Sequence, residues 1–507
     1  MNSPPSPDST NTVYARRFGI DTQHELVVFM SKDCPVCRSE GFSAHARIRL
    51  EAGGNTIIAT LYQVSSDLLK PGYAGLSEAA WRHLKVIEGA PVTVRHPRTL
   101  GSLSHVRAKT FGHRLNDPEL EEIIHDIVRG SYSDIHLASF ITACSARGLD
   151  RQEVIALTNA MINAGDRLDW GAGAVADKHC VGGLPGNRTT PIIVGILTAL
   201  GHRMPKTSSR AITSPAGTAD TMETITRVDL SLAQMRKVVD REGGCMVWGG
   251  AVQLSPADDT MIRVERVLEL DSEGQLVASV LSKKAAAGAT HLVLDLPVGP
   301  TAKVRGAQAA ATLAELMEFV AGALQFRTRI LFTDGSEPVG RGIGPALEAR
   351  DVLAVLRGDA DAPVDLKERS LTLAGALLDL LENSAPGLGA EKARETLENG
   401  KAWAKFQAIC QAQGALKEPP VAPHRRTLNA HHGGIVTEID NRRISKVAKL
   451  AGAPEDPSAG VDLHVHRGHV VEAGEPLFTV HSESPGELQY AFDFMESNGD
   501  IVKVSDL

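Results

Sequence analysis

The stretch "DKHCVGGLPGNRTT", residues 177–190, sets a carboxylate, an ammonium, an imidazole and a thiol directly before a loop holding Gly182, Gly183 and Gly186. Glycines let backbone N–H groups converge on an oxyanion, and the apolar run after Thr190 predicts a helix whose N-terminus adds donors and a favourable dipole. The chemistry such a loop suits is anion binding. It is not a P-loop, because "GNRT" stands where G-K-[ST] belongs, and it lacks the G-x-G-x-x-G dinucleotide fingerprint. Taken alone it also fits a plain connection between two elements.

A second stretch, "KTSSRAITSPAGTADTMETI", residues 206–225, supplies Lys206, Ser208, Ser209, Arg210, Thr213, Ser214 and Thr218 around one glycine, again before a helical pattern. Hydroxyls, amides and a cation are the donors a phosphate takes. Two such loops after consecutive strands would face each other across one cleft; taken separately they are polar turns. A third stretch, "LELDSEGQLVASVLSKKAAAG", holds Asp271, Ser279 and Lys283. Helical spacing puts Ser279 and Lys283 on one face, where they suit a polar planar ligand or merely a solvated surface.

Elements must exist to position these loops. Residues 13–112 read as short alternating segments such as "ELVVFM" and "TIIATLYQV", a small β-rich domain. Residues 113–175 turn helical: "NDPELEEIIHDIVRG" starts with Asn116 and Asp117 before Pro118, and two more segments of helical period follow. From 176 to 420, strand-like runs ("HLVLDLPV", "RTRILFTD") alternate with helical ones, which predicts a mostly parallel sheet covered by helices. Sites in such sheets lie at the carboxyl ends of strands. After the Pro-rich "KEPPVAPHRR", residues 428–507 return to short strands around Gly turns, as a small β-sandwich or hammerhead would. The expected class is multi-domain α/β.

Composition narrows the function. A chain of 507 residues with 43% hydrophobic residues can bury several cores, and a net charge of −8 gives no general attraction to nucleic acid or anionic membrane. The start, "MNSPPSPDSTNT", lacks the basic and apolar regions of a signal peptide and reads as a disordered lead, residues 1–12. No run of eighteen apolar residues is present, and six scattered cysteines do not form a disulfide framework. A soluble cytoplasmic protein in a reducing compartment is expected. Cys34 and Cys37 have C-x-x-C spacing without a second pair, and read as reduced structural thiols; His464, His466 and His469 read as solvent-facing.

Together the three stretches resemble the thymidine phosphorylase family of nucleoside phosphorylases, and most closely its AMP phosphorylase branch. "DKHCVGG" resembles the family's Asp-Lys-His-Ser-x-Gly-Gly loop, and "SSRAITSPAGTADTME" resembles its signature Ser-x-Arg-(seven positions)-Gly-Thr-x-Asp-x-x-Glu. "WGGAVQLSPADD" and "ASVLSKK" add further matches, and the likeness spans about residues 115–500. It implies phosphorolysis: phosphate attacks the anomeric carbon of a nucleoside, the base departs, and a pentose 1-phosphate forms with inversion. Cleavage builds positive charge on the sugar and negative charge on the base, so the site must supply an anion on one side and donors on the other.

The resemblance implies roles residue by residue. Lys178, Cys180, Gly183, Ser208 and Thr218 would contact phosphate, with His179 in the same pocket. Ser209, Arg210, Ala211, Ile212, Thr213, Ser214, Ser279, Lys283 and Lys303 would meet the nucleoside or nucleotide, and Asp271 would donate the proton to the departing base. No metal and no cofactor beyond phosphate as co-substrate is implied, and a homodimer or higher homo-oligomer is. Cys180 departs from the usual serine, exchanging a good donor for a weak one. The family's base-contacting arginine has no clean match, Val264 standing at that register between Arg263 and Arg266. Lys303 stands where thymidine phosphorylases have an apolar residue and is placed to meet a 5′-phosphate.

Two rivals remain at this point. The anthranilate phosphoribosyltransferase type shares paired Gly-rich and Ser-rich loops, but depends on magnesium. A carrier or binding protein is suggested by "GHVVEAGEPLFTV", which resembles the hammerhead of biotinyl and lipoyl carriers but lacks the modifiable lysine.

Overall fold

The computed structural model describes residues 11–211, 214–270 and 272–506. They divide into two compact units, one comprising residues up to 108 with 125–137, the other 109–124 with 138 onward.

In the first unit six strands close into a barrel: β1 (Thr12–Arg17), β2 (Val27–Ser31), β3 (Arg47–Ala52), β4 (Asn55–Val64), β5 (Tyr73–Leu76) and β6 (Pro91–Arg95), in the order β1-β5-β2-β4-β3-β6. The sequence alternation becomes alternation of burial, as in β3, where Ile48, Leu50 and Ala52 point inward and Arg47, Arg49 and Glu51 lie between them. Closure removes the exposed edges a short-stranded sheet would otherwise carry. Cys34 and Cys37 are both buried in this core beside Met30 and Val36.

In the second unit the helix Arg151–Asn163 begins at Asp150, whose carboxylate accepts from Gln152 and Glu153 while Glu153 reaches back in a capping box. Glu153 also holds the buried Lys109 ammonium at 2.7 Å and accepts from the Leu115 amide. Beyond it lie five parallel strands in two groups. β7 (Ala176–Cys180), β10 (His291–Val298) and β11 (Arg327–Asp334) form one sheet in the order β11-β10-β7. β8 (Met204–Ser208) and β9 (Gly244–Trp248) form the other.

β7 and β8 meet only at their beginnings. Among the described residues their shared ladder is one bridge, Val175 with Arg203, closed by the Ala176 amide on the Arg203 carbonyl at 2.8 Å. Past it the strands run on without further ladder bonds between them. Their carboxyl ends, which carry the two candidate loops, are where sites in such sheets lie. The connecting helix, Thr189–Ala199, is buried on every side, as its near-continuous apolar sequence requires, and shares a core with Leu353, Leu377 and Phe406.

The C-terminal strands pair antiparallel in two small sheets. One runs Gly342–Ile343, Gly460–Leu463, Pro476–Ser482, His424–Asn429; the other runs Val470–Val471, Gly434–Ile439, Val502–Ser505. Two helices, Asn441–Leu450 and Pro485–Asn498, accompany them, which the expectation of strands alone in this tail does not contain. The first is signalled locally: Asp440 caps it, and Ile444, Val447 and Ala448 recur at helical spacing. Among the described residues no helix is long and apolar enough to cross a membrane.

Candidate active site

The carboxyl end of β7 places its side chains in a dense ion network. Lys178 is buried; its ammonium donates to the Thr189 hydroxyl at 2.8 Å and lies 3.5 Å from the Asp295 carboxylate of β10. Asp295 also accepts from Thr333 at 2.6 Å and from Asn187 at 3.2 Å. Burial would raise the Asp295 pKa, but Lys178 and these donors outweigh it and hold the group below the usual carboxylate range.

One residue earlier, Asp177 is buried between two cations, Lys206 of β8 at 2.7 Å and Lys284 at 2.8 Å. Its pKa, too, is held low against burial by those ammonium groups. Burial pushes Lys206 down to about 7, the nearby Lys284 charge adding to the effect while Asp177 opposes it. His179 stands in the field of this cluster. Burial and the charges of Lys284, Lys206, Lys178 and Lys283 drive its pKa well below the ordinary imidazole value, so near neutral pH it is an uncharged ring.

The loop that follows needs its glycines. Gly182, Gly183 and Gly186 all have positive φ, and a Cβ on Gly186 would lie 2.0 Å from the Val339 carbonyl. The Cys180 sulfur accepts from the Asn187 amide at 3.1 Å, and burial pushes the thiol up to about 12, so it stays protonated and unreactive. Lys303 is exposed beside this loop, its Cβ 3.1 Å from where a Cβ on Gly182 would stand.

Arg188 joins the two loops. Its guanidinium donates to the Thr218 hydroxyl at 2.8 Å and to the Ala216 carbonyl at 2.9 Å, and pairs with buried Glu348 at 2.6 Å. A hydroxyl that accepts from a cation has its own O–H left to give, which holds for Thr218 and, under Lys178, for Thr189. The Ser208 hydroxyl, at the end of β8, is buried with no hydrogen-bond partner among the described residues. Such an atom is costly unless a ligand satisfies it.

The signature loop is clamped by its own acidic residues. Asp220 accepts from the amides of Ala211 at 2.6 Å and Gly217 at 2.8 Å, which explains the Gly-Thr-x-Asp spacing. Glu223 takes the Arg210 guanidinium in a two-point pair, and Arg210 lies over the Trp248 ring, 4.9 Å from its centroid. Arg210, expected to meet the nucleoside, is thus occupied in holding the loop. It lines a separate cavity of about 550 Å³ with Lys417, Glu455 and Pro457. Ser209 is exposed, and Ser214 donates to the Ala216 carbonyl at 2.8 Å. Ile212, Thr213 and Asp271 lie outside the described residues.

Ser279 and Lys283 are half-buried on the helix Glu273–Ala286, which Lys284 anchors to β7 through Asp177. The Lys283 ammonium contacts buried Asp258, whose charge, with that of Asp259, outweighs burial and raises the lysine pKa. The structure therefore brings Lys178, His179, Cys180, Lys303, Ser208, Thr218 and the helix of Ser279 and Lys283 to the ends of β7 and β8. Asp177, Asn187, Thr189, Lys284 and Asp295 join Lys178 and Lys206 in one network, and Arg188 and Asp258 hold Thr218 and Lys283; beyond the expected site residues, only Lys206 is singled out by the sequence as a phosphate donor. Several lie inside the quoted motifs, but Asp295 is carried by a strand that reads only as apolar filling.

Comparison with known proteins decides the family. A curated relative from Polaromonas sp., named "Putative thymidine phosphorylase", is 58% identical over 99% of both chains. The chain belongs to the thymidine phosphorylase family. A second relative of the same kind, from Hahella chejuensis, is 55% identical over 98% of both chains. Models of three family domains match as well: "Glycosyl transferase family, helical bundle domain" at residues 104–165, "Glycosyl transferase family, a/b domain" at 172–403, and "Pyrimidine nucleoside phosphorylase C-terminal domain" at 435–502. This member of the thymidine phosphorylase family also shares its fold with the anthranilate phosphoribosyltransferase of Thermus thermophilus. That match has a TM-score of 0.52 at 21% identity, covering 61% of this chain and 99% of that one. At such identity the likeness is one of architecture alone.

Proposed function

We propose that this enzyme of the thymidine phosphorylase family cleaves the N-glycosidic bond of a nucleoside or nucleoside 5′-monophosphate with inorganic phosphate. The products are the free base and a pentose 1-phosphate, or ribose 1,5-bisphosphate from a monophosphate. The observation that carries the reading is the buried Ser208 hydroxyl, without a hydrogen-bond partner among the described residues, at the end of the strand whose Lys206 pairs with Asp177, where Arg188 ties together two loops rich in donors.

In this reading the phosphate oxygens take Lys178, Thr189, Ser208, Thr218 and the amides of the Gly182–Gly183 turn. Held there, the nucleophile is aligned with the anomeric carbon, and alignment of two substrates is the larger part of the catalytic task. Charge developing on the departing base is met by Ser279 and Lys283, Asp258 fixing the lysine. Neutral His179 donates or accepts one hydrogen bond without adding charge. Asp271 supplies the proton. No metal or organic cofactor takes part; the enzyme works in the cytoplasm as a homodimer or larger homo-oligomer, without nucleic acid or membrane. The full-length relatives support phosphorolysis over the phosphoribosyltransferase alternative.

Lys303 favours the monophosphate branch, because a lysine whose Cβ stands against the Gly182 turn suits a second anionic group. Base release from thymidine, uridine, AMP, CMP and UMP, each with and without phosphate and with a chelator present, tests the reading. Phosphate-dependent release is expected. Release that requires a divalent metal, or none from any substrate, would overturn it.

A further inference from the structure

The strands that carry the two loops part company after the Val175–Arg203 bridge, yet something must hold their carboxyl ends at a fixed separation. Among the described residues, Lys206 makes the short polar links across that gap. Its side chain leaves β8 and donates to the Asp177 carboxylate at 2.7 Å and to the Lys178 carbonyl at 2.6 Å, both on β7. Asp177 accepts the Lys178 amide at 2.7 Å with the same oxygen and receives Lys284 on the other. Lys206 thus grips the peptide of the residue whose ammonium reaches Thr189, and is two residues from Ser208.

We propose that Lys206 is a positioning residue for the phosphate nucleophile: bridging Asp177 and the Lys178 carbonyl, it sets the spacing of the β7 and β8 ends so that Lys178 and Ser208 converge on one anion. This rests on the phosphorolytic reading of the site. A ladder of backbone bonds would fix the spacing by pairing the strands; past the single bridge, the Lys206 links to Asp177 and the Lys178 carbonyl fix it without pairing them. The charge also serves the ligand. Around Lys206 lie Lys178 and His179 of β7, Asp177, Lys284 of the neighbouring helix, and Cys245 of β9. Lys206 is the member of this group whose pKa falls to about 7. A bound anion adds negative charge nearby and favours its protonated form, so binding and protonation are linked.

The test uses the full-length enzyme with K206M, K206R and K206Q. In steady-state kinetics with phosphate and nucleoside varied independently, K206M should raise the KM for phosphate by about tenfold or more, leave the nucleoside KM within about twofold, and be partly rescued by K206R. Gln keeps volume and donors without charge, so K206Q carries the comparison if the Met variant fails to fold. The second readout is calorimetric binding of sulfate, an anion with no ionisation of its own near neutrality. Wild-type affinity should weaken as pH rises through about 7, the Lys206 value, and K206R should remove that dependence. A pH-independent sulfate affinity in the wild type, or equal rises in both KM values for the variants, would overturn the proposal. Absence of phosphate-dependent base release by the wild type would instead sink the phosphorolytic reading, while the sulfate titration would still report on Lys206.

Discussion

Lys178 and Thr189 face each other at 2.8 Å, ammonium to hydroxyl, across the Gly-rich loop that separates them in sequence. The contact orients both for a shared acceptor. Lys178 keeps further donor hydrogens, and Thr189, having accepted, presents its own. K178A is expected to lower kcat/KM for phosphate by about 10²–10³-fold, the cost of losing one preorganised donor to the reacting anion. T189A should cost about tenfold, a single neutral hydrogen bond. Both are read from initial rates at varied phosphate, with melting curves to confirm folding. A K178A enzyme that keeps wild-type phosphate dependence would remove Lys178 from the site.

Arg188 is a structural tie as well as a neighbour of the ligand. It is nearly buried and paired with Glu348, which is 1% exposed and also accepts from Thr221. Truncation strands the carboxylate, so R188A should destabilise the enzyme by about 3–5 kcal/mol, and R188M/E348M should recover much of that loss. Activity should not return in the double variant, because Thr218 still lacks its partner. Denaturant unfolding and phosphate kinetics separate the two effects.

At Gly217 the signature loop passes against its own first residues. A Cβ there would stand 2.5 Å from the Ser209 carbonyl oxygen and 2.6 Å from the Arg210 carbonyl carbon. Both obstacles are backbone and cannot rotate away. G217A should therefore displace the loop and lower kcat/KM by about tenfold or more, about 1–3 kcal/mol of strain, with a smaller change in melting temperature. Wild-type kinetics in G217A would show that the loop's path is not needed for turnover.

The surface on which the Gly-rich loop rests has its own pH dependence. Gly186 sits against the Val339 and Gly342 carbonyls, and Asp351 holds that segment by accepting the Arg341 and Gly342 amides, each at 2.7 Å. Burial raises Asp351 to about 6 despite those donors. Because the folded value lies above the unfolded one of about 3.9, its contribution to stability is complete below about pH 4 and is lost as pH rises through about 6. D351N, which cannot ionise, should gain stability relative to the wild type over that interval. Parallel stability curves for the two from about pH 4 to 7 would contradict the assignment.

What the sequence made legible follows from how local each signal is. The barrel strands, the helix after Asn116 and Asp117, and the strands His291–Val298 and Arg327–Asp334 are all carried by period and turn chemistry within about ten residues. The loops were legible because glycines and hydroxyls cluster in sequence. Lys206, Asp177, Lys284 and Asp295 gave no such signal as a set, since four separate elements bring them together. Arg210 shows the reverse case: the motif announced the residue, but its carboxylate partners, ten and thirteen positions on, decide what it does.

Lys303 separates the two substrate classes. A nucleoside brings no charge to a lysine beside the Gly182 turn, whereas a 5′-monophosphate brings a dianion for which a lysine contact is worth about 10–100-fold in affinity. K303M should therefore raise the KM for AMP, CMP or UMP by about that factor and leave the KM for uridine or thymidine unchanged. The inorganic phosphate KM serves as the internal control. A K303M enzyme that loses phosphate and nucleoside affinity together would place Lys303 in the nucleophile's site, and equal KM values for monophosphates before and after substitution would make the free nucleoside the substrate.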